Sequence, residues 1–220
     1  MILTNEDSDT FLSNIIIDCQ YFAPVNAINA LFQFSNINIE QYESWQKMSF
    51  RNRMVVAGSN GPVHLSVPLE KGRDQRMLVK EVRISQTESW QKQHLRTIES
   101  AYRRSPFFEF YQNGIQDLLQ KRHLFLLDLN LEIFGWLRKV LGNESSVSVT
   151  EQFQKEYPKE IVDLRNYFLP KNYQQMTIPF TYGQVFEERL GFLPNLSILD
   201  LLFCCGPNAK VLLKDNKFMY

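Results

Sequence analysis

The stretch IIIDCQYFAPVNAINALFQFSNINIE, residues 15–40, decides the fold. Residues 15–22 are rich in β-branched and aromatic side chains and lead to Pro24, which predicts a strand. After the proline, apolar residues recur at the spacing of a helix: Val25, Ile28, Leu31 and Phe32. Polar and apolar residues then alternate over residues 36–40, which predicts a second strand. The stretch therefore predicts a β-α-β unit.

Patterns further along the chain predict a hairpin and several helices. Residues 54–57 and 63–70 have strand character and flank the turn-forming sequence GSNGP, so we expect an antiparallel hairpin. Helical spacing predicts helices over residues 89–103 and 124–141, the second ending at Gly142. Shorter signals predict a strand at 82–85, a helix capped by Ser105 and broken at Asn113-Gly114, a strand within 145–150, and helices within 182–191 and 194–206.

Together these elements predict a mixed α/β fold with an N-terminal β-α-β unit, a β-hairpin and a helix-rich C-terminal half. Residues 151–179 show no pattern that can be assigned. The sequence contains neither an internal repeat nor a linker-like stretch, so we expect a single domain over residues 1–220. Residues 1–14 are expected to form a loose N-terminal extension.

Composition narrows the function classes. Lysine plus arginine and aspartate plus glutamate both total 24, so the balance of charge argues against a general nucleic-acid or anionic-membrane binder. The three cysteines form no disulfide framework, and the acidic N-terminus does not resemble a signal peptide, so we expect a cytoplasmic protein. Charged residues interrupt the longest apolar segment, residues 124–141, which predicts a core helix and no membrane span.

Signatures of common sites are missing from the sequence. The three histidines have no metal-ligand spacing, so no metal site is expected. No glycine-rich nucleotide loop or serine-hydrolase elbow occurs. Cys19, Cys204 and Cys205 lie in apolar surroundings without an identifiable histidine partner, which indicates structural cysteines.

Two arginines begin the predicted hairpin, as Arg51-Asn52-Arg53. In an extended chain, Arg51 and Arg53 would share one face and Asn52 would lie on the other. Two guanidinium groups on one side would suit a carboxylate or phosphate ligand. Alternatively, the arginines pair with Glu40 and Glu43 upstream and close the edge of the sheet. The sequence does not decide between these interpretations.

On the predicted helix 89–103, a step of 100° per residue places His94 in the middle of an apolar stripe. A lone histidine in such a position is typical of a hydrogen-bonded core residue. In the functional alternative, His94 is an acid or base with the Tyr102 phenol near it. Near the C-terminus, Asn195 is placed to cap a helix that carries Ser197 and Asp200 on one face, and this polar group has either a capping or a binding role.

Several segments resemble, in order, the WbqC-like family of bacterial proteins: QYFAP (20–24), EQYESWQKMSFRNR (40–53), the hairpin with LSVPLE, WQKQHLRTIESAYRRSPFFEFY (90–111) and GFLPNLSILDLLFCCGP (191–207). The family's motif positions correspond to Gln20, Tyr21, Pro24, Asn52, Arg53, His94, Tyr102, Asn195, Ser197 and Asp200. Trp45 stands where the family commonly has tyrosine, and Ala23 where it often has proline. The resemblance implies an association with gene clusters for O-antigen and other surface polysaccharides.

The resemblance leads to two hypotheses. In the first, the protein is an enzyme of surface-polysaccharide biosynthesis, a transferase acting on a nucleotide-linked sugar or its acyl or aminoacyl donor. His94 is then the general base assisted by Tyr102, Arg51 or Arg53 binds an anionic group, and Asn52 orients the substrate. The remaining motif residues are expected to line the same substrate pocket: Gln20, Tyr21, Asn195, Ser197 and Asp200.

In the second hypothesis, the protein is a non-catalytic module that binds a glycan precursor or a polysaccharide-assembly partner, since no complete catalytic constellation is visible. The expected partner in the first hypothesis is a small molecule such as a nucleotide sugar. The sequence leaves the cofactor, the reaction and the oligomeric state open.

Overall fold

The computed structural model describes residues 12–70, 77–87 and 89–218. The strands are β1 (Leu12–Asp18), β2 (Phe34–Glu40), β3 (Arg53–Gly58), β4 (Gly61–Ser66), β5 (Ser146–Val149) and β6 (Ile161–Asp163). The helices are α1 (Val25–Leu31), α2 (Trp90–Tyr102), α3 (Phe108–Gln120), α4 (Leu126–Leu141), α5 (Glu187–Leu190), α6 (Ile198–Cys205) and α7 (Asn208–Asp215). The mixed α/β fold predicted from the sequence is confirmed.

The predicted β-α-β unit is the centre of a four-stranded sheet. Strands β1 and β2 are parallel, with Ile15 opposite Ile37 and Asp18 opposite Glu40. Strands β5 and β6 add to the two outer edges, so the order is β5-β2-β1-β6, and every neighbouring pair is parallel. In chain order, β2 and β5 are added on one side of β1, and β6 is then added on its other side. In open α/β sheets, ligands commonly bind at the carboxyl ends of the strands where the direction reverses, here beside β1 and β6.

Strand β1 differs at both ends from the prediction. It begins at Leu12, so residues 12–14 belong to the sheet, whereas the rest of the predicted extension lies outside the described residues. It ends at Asp18 and not at residue 22, because the chain turns over residues 19–22 and Phe22 has a φ of 40°. The turn is held by the Tyr21 amide, which donates to the Phe50 carbonyl at 2.9 Å.

The predicted hairpin is formed by β3 and β4, which pair in antiparallel register with Met54 opposite Leu65. Ser59 and Asn60 make the turn, and Gly61 follows with a φ of 127°, a conformation that favours glycine. Residues 82–85 do not form a regular strand. They make isolated bridges, one of which joins Ile84 to Leu69 beyond the end of β4.

The helices match the prediction in part. Helices α2 and α4 have nearly the predicted bounds, and Gly142 ends α4 in the left-handed conformation. Helix α3, however, runs through Asn113-Gly114, and Ser105 does not cap it because the Ser105 hydroxyl donates to the Tyr102 carbonyl. The predicted helix within 182–191 is the single turn α5, and α7 was not predicted.

Buried apolar side chains from the β-α-β unit, the hairpin and the larger helices form one cluster. Helix α6 is central to it, since Ile198, Leu201 and Phe203 are fully buried. Within the described ranges, no helix is both long enough and apolar enough to cross a membrane.

Candidate functional site

A cavity of about 370 Å³ opens beside the first residues of the hairpin. Its described lining residues come from the segment before β3 and from the segment after β4: Trp45, Lys47, Met48, Asn52, Arg53, Val67, Pro68 and Leu69. We refer to it as the hairpin-root cavity. Two of the residues predicted to bind substrate, Asn52 and Arg53, therefore lie together in one concave surface.

Asn52 is fixed in this cavity by hydrogen bonds to Val67. The Asn52 side-chain amide donates to the Val67 carbonyl at 3.0 Å, and the Val67 amide donates to the Asn52 carbonyl at 2.8 Å. These bonds continue the pairing of β3 and β4 past the ends of the two strands. The cavity therefore has a rigid wall on its hairpin side.

The cavity has a cationic character. Arg53 forms no ion pair with any described residue, and its Nε is buried without a hydrogen-bond partner. Lys47 is a second cation in the lining, and the described lining residues include no carboxylate. Although the chain as a whole has no net charge, this surface favours an anion.

Arg51 does not share the surface of Arg53, so this part of the sequence interpretation is wrong. Arg51 is 1% exposed, and its guanidinium donates to Glu43 Oε2 at 2.5 Å and to Asn166 Oδ1 at 2.8 Å. Strand β3 begins only at Arg53, so the two-residue period of a strand does not apply to Arg51. Of the two predicted acidic partners, Glu43 pairs with Arg51, whereas Glu40 lies 3.6 Å from Arg165.

Arg51 belongs to a partly buried polar cluster at the carboxyl ends of β1 and β6, formed by Asp18, Glu43, Arg51 and Asn166. Asn166 follows β6 with a φ of 56°, and its backbone amide donates to Asp18 Oδ1 at 2.9 Å. Its side-chain amide donates to Glu43 Oε1 at 2.5 Å. This is the position where open sheets of this kind often bind ligands. Here the chain's own side chains fill it.

Gln20, another predicted binding residue, extends this cluster. The Gln20 side-chain amide donates to Asp18 Oδ2 at 3.0 Å, and the residue is buried. Burial raises the pKa of Glu43, while the Arg51 charge and the Asn166 hydrogen bond oppose that rise. The sequence analysis did not single out Asp18 or Asn166. Asp18 and Glu40 are acidic residues opposite each other at the ends of β1 and β2, but the sequence pattern continued the first strand to residue 22 and so did not place Asp18 at a strand end.

His94 lies in the core, 2% exposed, as the apolar stripe on its helix indicated. Its ring packs edge-on against Trp90, with centroids 5.2 Å apart, and its Nδ1 lies 2.9 Å from the Tyr21 hydroxyl. Burial lowers the pKa of His94 to about 4, whereas a hydrogen bond with the Ser66 backbone raises it. The polar groups around the ring, the Tyr21 hydroxyl and the Ser66 backbone, thus both belong to the core.

Tyr102 and Asp200 form a second buried hydrogen-bond network. The Tyr102 hydroxyl accepts from the Ala57 amide and donates to Asp200 Oδ1, both at 2.8 Å. Tyr182 and Gln184 donate to Asp200 Oδ2 at 2.9 and 3.0 Å. Burial raises the pKa of Asp200, and the three donors oppose the rise. This network ties α2, the hairpin and α6 together.

Asn195 and Ser197 hold the start of α6. Ser197, not the predicted Asn195, is the N-cap, and it accepts from the Leu199 amide while its hydroxyl donates to the Phe22 carbonyl at 2.8 Å. Asn195 has a φ of 54°, and its side-chain amide donates to the Tyr173 and Met176 carbonyls, both at 2.7 Å. The predicted site residues thus fall into separate groups, and of these only Asn52 and Arg53 line the hairpin-root cavity.

The three cysteines are free thiols. Burial raises the pKa of Cys205 to about 11 and also raises the pKa of Cys19 and Cys204. A thiolate nucleophile is therefore disfavoured at all three positions. Among the described residues, no group of three or more histidine, cysteine, aspartate or glutamate side chains is arranged to hold a metal ion.

Comparison with known proteins identifies a family. No curated protein and no solved structure is significantly similar to the chain. The model of the WbqC-like protein family matches residues 19–168 and 165–211, which include the β-α-β unit from the end of β1, the hairpin and helices α2 to α6. The chain belongs to the WbqC-like protein family.

Proposed function

We propose that this protein binds an anionic precursor of bacterial surface polysaccharide, such as a nucleotide-linked sugar, in the hairpin-root cavity. The observation that carries the proposal is the pair of cationic side chains, Lys47 and Arg53, in a cavity whose described lining has no carboxylate. Membership of the WbqC-like family supports the link to O-antigen-type biosynthesis, and precursors of this kind are made in the cytoplasm, where we place the protein.

The size and lining of the cavity are consistent with a small-molecule ligand. Its volume of about 370 Å³ is at the lower end of the range for ligand pockets, roughly 300–1,000 Å³. Val67, Pro68 and Leu69 give it an apolar side, on which a sugar or base can pack. Asn52 and Arg53 add polar groups to the lining, and Arg53 can contact two oxygens of a phosphate at once.

Binding without catalysis explains the geometry better than a transferase with His94 as general base. A general base must come within hydrogen-bond distance of the proton that it removes. His94 is enclosed in the core between Tyr21, Trp90 and the Ser66 backbone. Tyr102 is fully buried and already bonded to Asp200. The described lining of the cavity contains neither residue, so the binding hypothesis is favoured.

Calorimetric titration and thermal unfolding test the proposal with UDP-glucose, glucose 1-phosphate and uncharged glucose as probes. A charged probe at 100 times its dissociation constant should add about 2.7 kcal/mol of stability, whereas glucose should add none. Arg53→Gln should weaken binding roughly tenfold or more, because a hydrogen bond to a charged group contributes about 1.5–3 kcal/mol.

Arg96→Gln is the matched control. It removes the same charge from an exposed position on α2 outside the described lining of the hairpin-root cavity, so binding should be unchanged. If the charged probes fail to bind, or if Arg96→Gln weakens them as much as Arg53→Gln does, the proposed site is wrong.

A further inference from the structure

Trp45 has a buried hydrogen-bond donor with no acceptor. The side chain is 3% exposed and forms part of the wall of the hairpin-root cavity. Its backbone is held in place, since the Trp45 amide donates to the Met77 carbonyl at 2.8 Å. Its indole Nε1 has no hydrogen-bond partner among the described residues. A buried tryptophan N–H usually finds an acceptor, and leaving one without it costs about 1–3 kcal/mol.

Arg53 presents the same feature in the same cavity. Its Nε is also buried without a partner, although Arg53 is only partly buried as a residue. Two donors from separate segments of the wall therefore have no acceptor in the part of the chain that the structure describes. Other described residues also have buried polar atoms without a partner, but of these residues only Trp45 and Arg53 line the hairpin-root cavity, and an unpaired donor at a ligand-binding surface is available to a ligand.

The wall that carries these donors also contains two exposed, flexible side chains. Lys47 and Met48 line the same cavity, both are exposed, and both have long unbranched side chains that can change rotamer at low cost. Met48 is 58% exposed, so its side chain is not fixed by packing in the core. Access of a ligand oxygen to the indole therefore requires only side-chain movement at the cavity wall.

We infer that Trp45 is a ligand-binding residue whose indole N–H, together with Arg53, holds one oxyanion of the ligand. The inference rests on the proposed function and specifies its chemistry. An oxyanion presents several oxygens, so it can accept hydrogen bonds from both donors at once. Its negative charge also balances Arg53 and Lys47, since the described cavity lining contains no carboxylate. The shared chemistry is a phosphate or carboxylate oxygen, which a sugar phosphate or an acidic sugar can each supply.

The indole N–H signals of the protein give a direct test. The chain has three tryptophans, so a ¹H–¹⁵N spectrum should contain three indole signals, and Trp45→Phe identifies that of Trp45. On titration of the wild-type protein with glucose 1-phosphate or glucuronate, the Trp45 indole proton should move downfield, as for a new hydrogen bond to an anion. The signals of Trp90 and Trp136 should move less. The probe that produces the shift distinguishes a phosphate from a carboxylate.

Affinity provides the second readout. Trp45→Phe keeps an aromatic ring but removes the N–H, so binding of the active probe should weaken roughly tenfold. Trp136→Phe, which removes an indole outside the described lining of the cavity, should leave affinity unchanged. If Arg53→Gln weakens binding while the wild-type Trp45 signal stays still, the role of Trp45 is refuted and the proposed function stands. If no anionic probe binds the wild-type protein, both fail.

Discussion

The Tyr21 hydroxyl lies 2.9 Å from Nδ1 of His94, although 73 residues separate the two in sequence. The contact joins the turn after β1 to the middle of α2. The Ser66 backbone forms a further hydrogen bond with the ring, so the polar partners of His94 both belong to the core. Such a histidine stabilises the fold only while it is uncharged.

We therefore expect stability to fall in acid through His94. Its pKa is about 4 in the folded protein and near 6.5 in the unfolded chain, so the unfolded state binds more protons between these values. The contribution of neutral His94 is complete above pH 6.5 and is lost as the pH falls towards 4. It amounts to about 3 kcal/mol over this window. Urea unfolding from pH 7.5 to 4 measures it.

His94→Gln separates this effect from the titration of the carboxylates. The variant should be less stable than the wild type at pH 7.5, and the difference between the two proteins should shrink as the pH falls to 4. A difference that stays constant with pH would mean that His94 is accessible and titrates normally. Unchanged binding of UDP-glucose by the folded variant would further support a structural role.

Replacement by glutamine should destabilise the protein strongly at Arg51 and hardly at all at Arg53. Arg51→Gln leaves Glu43 and Asp18 without their buried cation, so it should destabilise the protein by about 3–5 kcal/mol. Arg53→Gln breaks no ion pair among the described residues and should change the free energy of unfolding by less than about 0.5 kcal/mol. Denaturant unfolding of the two variants checks this contrast.

A compensating change tests the cause. Adding Glu43→Gln to Arg51→Gln removes the carboxylate that the first substitution leaves unpaired, so the double variant should be more stable than Arg51→Gln alone. Equal stability of the single and double variants would show that Arg51 stabilises the fold through packing and not through charge.

Even the conservative substitution of Asp200 by asparagine should destabilise the protein. Both carboxylate oxygens accept hydrogen bonds from Tyr102, Tyr182 and Gln184, so an asparagine would present its NH₂ group to another donor. Asp200→Asn is expected to cost about 1–3 kcal/mol in the free energy of unfolding. Asp117→Asn, on the exposed face of α3, is the control and should change it by less than about 0.5 kcal/mol. Similar values for both variants would contradict the network.

Local sequence periodicity was enough to predict the regular strands and helices whose apolar residues recur at strand or helix spacing. The β-α-β unit, the hairpin and helices α2 and α4 follow from two-residue and helical spacing. Contacts distant in sequence decide the rest. Arg51 turns inward because Asn166, 115 residues away, and Glu43 bind its guanidinium, and no local pattern at residues 51–53 reveals that.

The candidate site was predictable only in its polar residues. Asn52 and Arg53 were recognised at the start of the hairpin, whereas Trp45 was noted only as a departure from the family. Its unpaired N–H depends on which acceptors the folded chain brings close, and sequence spacing holds no information on that. The same limit applies to His94: helical spacing placed it on an apolar face and left a core and a catalytic role open, because its partners Tyr21 and Ser66 are distant in sequence.

The sequence predicted a helix break at Asn113-Gly114, because glycine is a poor helix former. In the structure, α3 continues through Gly114, so the effect of alanine at this position can be predicted. Glycine to alanine inside a helix normally stabilises by roughly 0.5–1 kcal/mol. At Gly114, however, a Cβ would lie 2.5 Å from Trp136 Nε1 on α4. Gly114→Ala should therefore destabilise the protein, by about 1–3 kcal/mol, because α3 and α4 must move apart or Trp136 must leave its rotamer.

Gly135 on α4 is the matched position, since a Cβ there would meet nothing within 4 Å. Gly135→Ala should raise the free energy of unfolding by about 0.5–1 kcal/mol, as expected from helix propensity alone. Urea unfolding of both variants compares the same chemical change in two helices of one protein. If both stabilise, α3 and α4 do not pack through Gly114 and Trp136. If both destabilise, the surface at Gly135 is covered by something other than solvent.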